Sequence, residues 1–201
     1  MPQSVRSYHH SAQMGEQFEE VARYMTEHSL VMTTAESCTA GLIAAHIADV
    51  PGAGQLLECA FVVYSPQAKQ KRLGVKAQTI ERHNLTSEEV AREMARGALD
   101  KSDANLAVSN TGVADDTDPE IEAGTQCFAW FFAAQEGLPE KLFSETKRFT
   151  GDRNAIREQA AIHALTQIPH MHAQFLQPAH KPAQPTQAAQ KQHEGQASHE
   201  H

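Results

Sequence analysis

Five short apolar runs alternate with stretches of helical periodicity, and that alternation most limits what the chain can fold into. The runs lie near residues 30–34, 61–64, 106–109, 125–134 and 142–149. Met14, Phe18, Val21 and Met25 recur at helical spacing and predict an opening amphipathic helix. Leu42, Ile43 and Ile47 form one side of a helix predicted to run from Ser37 to about residue 48. Ile156, Ala160, Ala164 and Leu165 share a face of a last helix, opened by Gly151-Asp152 and broken at Pro169. Strands interleaved with helices build a layered α/β domain. Only Gln135-Glu136-Gly137-Leu138-Pro139 joins the last two runs, too short for a crossover helix, so those strands are expected to be antiparallel and the sheet mixed.

Punctuation supports this division. Pro51-Gly52 ends the second helical unit. Ser65 caps a helix with Pro66 at its first position, where a missing N–H costs nothing, and Gly74 closes it. Thr86-Ser87-Glu88-Glu89 has capping-box spacing ahead of Val90, Met94 and Leu99. From about residue 177 the chain turns to Gln, Ala, Pro and His, without the large apolar side chains that would offset ordering entropy. The expected organisation is a flexible start over 1–10, one domain over 11–170 and a disordered tail over 177–201. Six of the twelve histidines lie beyond Ile168, but at no fixed metal-ligand spacing.

Composition excludes several classes. At 201 residues and 40% hydrophobic content the chain buries one good core. A formal net charge of -8 lacks the basic face that phosphate backbones require, so nucleic acid is not an expected partner. Cys38, Cys59 and Cys127 are few, odd in number and far apart, as reduced thiols in a cytoplasmic protein would be. The N-terminus has no apolar run of signal-peptide type, and residues 127–134 are too few to cross a bilayer as a helix, so no membrane role is expected.

Two strand-to-helix junctions carry chemistry. Ligands of open α/β sheets gather at strand carboxyl ends, where helix N-termini point outward, and Ser37, Tyr64, Lys69 and the loop after Ser109 all fall there. A serine facing a neutral lysine is one way to make an amide-cleaving nucleophile without histidine. Backbone N–H groups at the start of the serine's helix would hold the oxyanion. Bringing a lysine from about 10.4 to about 7 costs roughly 4 to 5 kcal/mol, which burial or another cation must supply. The plainer reading of the same spacing makes Ser37 a helix cap and Lys69 a solvated helix residue.

The runs Thr33–Gly41 "TTAESCTAG", Phe61–Lys69 "FVVYSPQAK" and Phe149–Arg157 "FTGDRNAIR" resemble the CinA C-terminal-domain family. So does Gly74-Val75 followed by Thr86-Ser87-Glu88-Glu89-Val90, and the motifs come in the family's order over roughly residues 12 to 170. That resemblance implies a three-layer α/β/α sandwich around a mixed, mostly parallel sheet of about five strands. It also implies a nicotinamide-nucleotide amidohydrolase, which turns nicotinamide mononucleotide into nicotinate mononucleotide and ammonia. Ser37, Lys69 and Tyr64 match the family's catalytic Ser, Lys and Tyr. Glu36, Cys38, Thr39, Gly41, Thr111, Gly112 and Arg153 fall where substrate would bind. The partner so implied is a small pyridine nucleotide, with no metal or cofactor, and the chain is expected to form a homo-oligomer.

One segment departs from the pattern. The family carries a Gly/Pro-rich loop resembling "SGIAGPxGG", whereas this chain has Asp115, Asp116, Asp118, Glu120 and Glu122 between Thr111-Gly112 and Gly124-Thr125. A like charge about 4 Å from a substrate phosphate costs on the order of 4 kcal/mol at an effective dielectric near 20. The departure admits two further readings: a silent relative that binds a nucleotide or a protein, or a hydrolase with an altered amide substrate. Ala40 stands where the family's "CTGG" turn has its first glycine. Glu36 either orients the site or favours the helix N-terminus. Arg153 and Arg157, one turn apart, either reach a phosphate or pair with acids across a subunit contact. Cys38 reads as a small buried thiol and Trp130 as core.

Overall fold

The computed structural model describes residues 3–177 apart from positions 117 and 136, with side chains from residue 15 onward. The predicted tail beyond residue 177 and the side chain of Met14 therefore lie outside the described residues. Five strands form one sheet in the order β2-β1-β3-β4-β5: β1 (Met32–Glu36), β2 (Leu57–Val62), β3 (Leu106–Gly112), β4 (Thr125–Phe132) and β5 (Lys141–Arg148). β1 pairs parallel with both β2 and β3. β4 pairs antiparallel with β3 and with β5, so the sheet is mixed and only β4 runs against the rest. The β4–β5 reversal matches the sequence expectation. The β3–β4 reversal has the same cause, a connection with no helix among its described residues, which the acidic segment obscured.

Helices cover both faces. On one lie α1 (Gln3–Glu27), α2 (Leu42–Ala48), α6 (Arg153–Thr166) and α7 (Ile168–Phe175), packed on Met32, Leu106, Val108, Phe128, Trp130 and Phe132. On the other lie α3 (Pro66–Leu73), α4 (Ala77–His83) and α5 (Glu88–Leu99), packed on Ala35, Ala107, Cys127, Ala129 and Phe131. Strand residues divide between the two cores by the two-residue pleat period. Full burial of a side chain such as Phe128 or Met25 stabilises by roughly 1.5–3 kcal/mol each.

Several boundaries move from the sequence expectations. α1 is helical from Gln3, where a flexible start is expected from the sequence: no proline lies between Gln3 and the packed Phe18, Val21 and Met25 stripe, and Gly15 is the one glycine the helix crosses. α2 begins at Leu42, not at Ser37. Pro169 does not end the helical region but sits in the first turn of α7, where its missing N–H is tolerated. Ser87 rather than Thr86 caps α5, accepting from the Val90 N–H at 3.3 Å. Glu88, in the first turn, bonds Ser144, Thr146 and Arg92.

Lys69 is carried by α3. Ser65 Oγ accepts from the Ala68 N–H at 3.1 Å, Pro66 opens the helix, and Gly74 ends it at φ 71°. Its depth is set by Gly97 on α5. A Cβ there would stand 1.9 Å from the Leu73 carbonyl oxygen, so the two helices meet backbone to backbone. We expect Gly97→Ala to lower stability by about 1–3 kcal/mol through overpacking and to move α3 outward. A denaturant melt with an unchanged midpoint would show that this contact does not set the helix position.

Candidate functional site

The strand order reverses at β1, with the chain passing to β2 on one side and to β3 on the other. Crevices for ligands open at the carboxyl ends of strands where such a reversal occurs. Ser37 is the first residue beyond β1 at that point. Its N–H bonds the Asn110 carbonyl of β3 at 3.0 Å, and the preceding Glu36 carbonyl accepts from Val63 at 2.8 Å. The serine is thus pinned from both neighbouring strands.

The helix predicted to start at Ser37 is replaced by a turn over residues 37–41. Glu36 causes it. Its carboxylate, with 0% exposure, accepts from the N–H groups of Gly41, Ile43 and Ala44 at 2.8–3.1 Å and from Thr34 Oγ1 at 3.0 Å. It caps α2 from the strand below, which obliges the chain to loop out around Ser37 before the helix begins. Ala40 and Gly41 complete the loop at φ 50° and 98°. Left-handed backbone is free to glycine but strained for alanine.

Lys69 reaches Ser37 from α3. Its Nζ donates to Ser37 Oγ at 2.8 Å and to the carbonyls of Val63 and Tyr64 at 3.0 and 3.2 Å. The lysine is 1% exposed and Ser37 7%. Burial lowers the amine's pKa to about 8. In the neutral form two N–H groups satisfy the two carbonyls and the lone pair faces the serine hydroxyl. That arrangement makes Lys69 able to take the Ser37 proton.

The other predicted residues divide. Tyr64 contributes its carbonyl to Lys69, while its exposed hydroxyl accepts from Arg153 Nη2 at 2.8 Å. Arg153, the first residue of α6, also forms an ion pair with Asp115. Cys38 is buried, its thiol accepts from Gln126 Nε2 at 3.3 Å, and burial pushes its pKa up against the pull of Gln126, Arg153 and Arg157. Thr39 gives its N–H to Asn110 Oδ1 at 3.1 Å, and its buried hydroxyl has no partner among the described residues. Thr111 turns its hydroxyl to the Leu85 carbonyl at 2.9 Å on the α4–α5 side. Gly112 leaves room for the Gln126 side chain, which a Cβ would approach to 2.4 Å.

Three residues that sequence reasoning missed as a group hold the Ser37 loop. Asn110 Nδ2 donates to Gln126 Oε1 at 3.0 Å, so one buried amide pair supports both Thr39 and Cys38. Arg157 donates to the carbonyls of Cys38 and Thr39 at 2.9 and 3.1 Å. The signal for Asn110 and Gln126 was a pair of amides within strand runs; Arg157 had only its place one turn after Arg153. Backbone N–H groups of residues 37 and 39–44 all have acceptors on the chain; the Cys38 N–H, next to Ser37, has none among the described residues.

Fold and site together define an α/β/α protein with a serine–lysine pair at the switch point of its sheet. The chain belongs to the CinA C-terminal-domain family, whose model matches residues 15–172. It is 39% identical over 161 residues to the nicotinamide-nucleotide amidohydrolase PncC of Escherichia coli K12, covering 79% of this chain and 93% of that protein. It is 43% identical over 135 residues to a CinA-like protein of Chlorobium phaeobacteroides; there the match covers 66% of this chain but only 32% of the longer relative. A competence-damaged (CinA) superfamily protein from Klebsiella pneumoniae superposes with a TM-score of 0.74 at 32% identity, over 81% of this chain and 99% of that one. No described helix is long and apolar enough to cross a membrane.

The loop geometry yields a stability test. Ala40→Gly relieves a left-handed alanine, and after the extra entropy of an unfolded glycine we expect a gain of about 0.5–1 kcal/mol. A lower melting midpoint for this variant would contradict the strain assigned to Ala40.

Proposed function

We propose that the chain is an amidohydrolase that converts nicotinamide mononucleotide to nicotinate mononucleotide and ammonia, with Ser37 as nucleophile and Lys69 as its base. The 2.8 Å bond between a desolvated lysine amine and a nearly buried serine hydroxyl carries this reading. The likeness to PncC supplies the substrate class. The pathway assigned to these groups needs no metal or cofactor.

Neutral Lys69 takes the proton from Ser37 Oγ as the oxygen bonds the carboxamide carbon. The carbonyl π pair moves to oxygen, and the Cys38 N–H is the donor nearest that developing charge. Protonated Lys69 then gives its proton to the amide nitrogen, the C–N bond breaks, and ammonia leaves an acyl-serine. Water attacks the ester carbon while Lys69 accepts its proton. Collapse expels Ser37, which recovers a proton from Lys69, and the acid departs.

Substrate binding falls to the rim. Arg153 offers a guanidinium to the nucleotide's phosphate, with Tyr64 beside it. Arg157 and Glu36 hold the Ser37 turn in shape. A cytoplasmic homo-oligomer with a small pyridine nucleotide as substrate completes the proposal.

Ammonia release from nicotinamide mononucleotide is the direct test. Ser37→Ala should reduce kcat by at least about a thousandfold in a protein that still melts cooperatively, and Lys69→Met should do the same. Turnover that survives Ser37→Ala would end the assignment of the nucleophile. Because Lys69 acts neutral and its pKa is lowered to about 8, kcat/KM should rise with pH below that value and level off above it. A profile flat from pH 6 to pH 9 would remove the lysine from the base's role.

A further inference from the structure

The guanidinium assigned to the substrate's phosphate is already engaged. Arg153 Nη1 pairs with the Asp115 carboxylate, and Nη2 donates to the Tyr64 hydroxyl at 2.8 Å. Three segments meet there: the end of β2, the start of α6 and the acidic connection between β3 and β4. That connection is positioned on its Asp115 side. Ala114 is buried against Cys38 and Ile156, one residue before the carboxylate. The base of the loop is closed by Val113 N–H to Thr125 and Gly124 N–H to Val113, both at 3.0 Å. Gly124 lies so close to Phe149 that a Cβ would stand 2.0 Å from its carbonyl oxygen. Asp115 therefore faces Arg153 because its neighbours are packed, and Arg157, one turn along α6, grips the Ser37 loop itself.

A carboxylate and a phosphate compete for the same guanidinium donors. We propose that Asp115 is a specificity-determining residue: an internal anion seated on Arg153 that competes with the phosphate of a substrate and shifts selectivity toward amides that lack one. The proposal rests on the amidohydrolase reading of the site. A phosphorylated amide has to displace Asp115 and then lie beside its charge. The corresponding riboside leaves the Asp115–Arg153 pair undisturbed. The remaining carboxylates differ in placement: Glu122 pairs with Arg148, and Asp118 accepts from the N–H groups of Glu120 and Ile121.

The test compares Asp115→Asn, which keeps the shape and removes the charge, with Asp116→Asn, which changes net charge equally one residue away. Two readouts are needed. The first is the ratio of kcat/KM for nicotinamide mononucleotide to that for nicotinamide riboside. Both arginine and aspartate are solvent-accessible, so Asp115→Asn should raise this ratio by about five- to tenfold rather than the thousandfold of a buried pair. The second is calorimetric binding of ribose 5-phosphate to the Ser37→Ala protein, which involves no turnover. Asp115→Asn should tighten it by a similar factor, and Asp116→Asn should leave it within about twofold. Equal gains from both substitutions would assign the effect to diffuse loop charge and overturn the proposal. Weaker binding in Asp115→Asn would make Asp115 a holder of Arg153, not its competitor, and would also overturn it. If wild-type protein hydrolyses neither amide, the reaction assignment fails, while the binding measurement still decides the role of Asp115.

Discussion

Burying the amine of Lys69 is the constraint on which the rest of the site depends. A lysine held at 1% exposure loses its water, and the chain compensates with three acceptors placed around Nζ. Two are carbonyls at the end of β2, where the ladder to β1 has run out and the backbone would otherwise face solvent. The third is the Ser37 hydroxyl. The same desolvation that is unfavourable for the cation makes the neutral amine accessible near physiological pH. Packing of α3 against Gly97 is thus part of what keeps the amine desolvated, because a looser helix would admit water to it.

A second buried polar system faces the other side of Ser37. Glu36, Asn110, Gln126 and Arg157 each bond backbone groups of residues 37–44 or the side chains that support them. Partly satisfied networks of this kind destabilise a core, whereas fully bonded ones define a single arrangement. Here the network holds a loop in left-handed geometry that its sequence disfavours at Ala40. The strained turn is retained because four side chains over-determine it.

Periodicity made the layers and both cores legible, since Phe128, Trp130 and Phe132 alternate with Cys127, Ala129 and Phe131 as a two-faced strand must. Ser37 and Lys69 were legible as a pair because each sits where a strand run gives way to a helix signal. The partners that hold them were not. Glu36 read either as an orienting group or as an acid favouring the helix N-terminus; its carboxylate does sit at the start of α2, but from the strand below, which delays that helix by five residues. Asn110 and Gln126 lie 16 positions apart, and their contact depends on a β3–β4 register that no local pattern announces. Tyr64 matched a catalytic position, but its hydroxyl turns outward to Arg153 while its carbonyl serves the lysine. Side-chain direction at a strand end is set by the neighbours that arrive later in the chain.

The clasp of Arg157 on Cys38 and Thr39 spans 119 and 118 positions, whereas the Ser37–Lys69 pair spans only 32. Contacts so distant in sequence form slowly, because the intervening chain has to be ordered first. During synthesis, β1, β2 and α3 emerge well ahead of the segment that supplies the arginine. The hydroxyl and the amine are therefore both synthesised before the arginine that bonds the turn presenting them. The setting of the Ser37–Lys69 pair is thus completed by a late segment of the chain, not by the arrival of the two groups themselves.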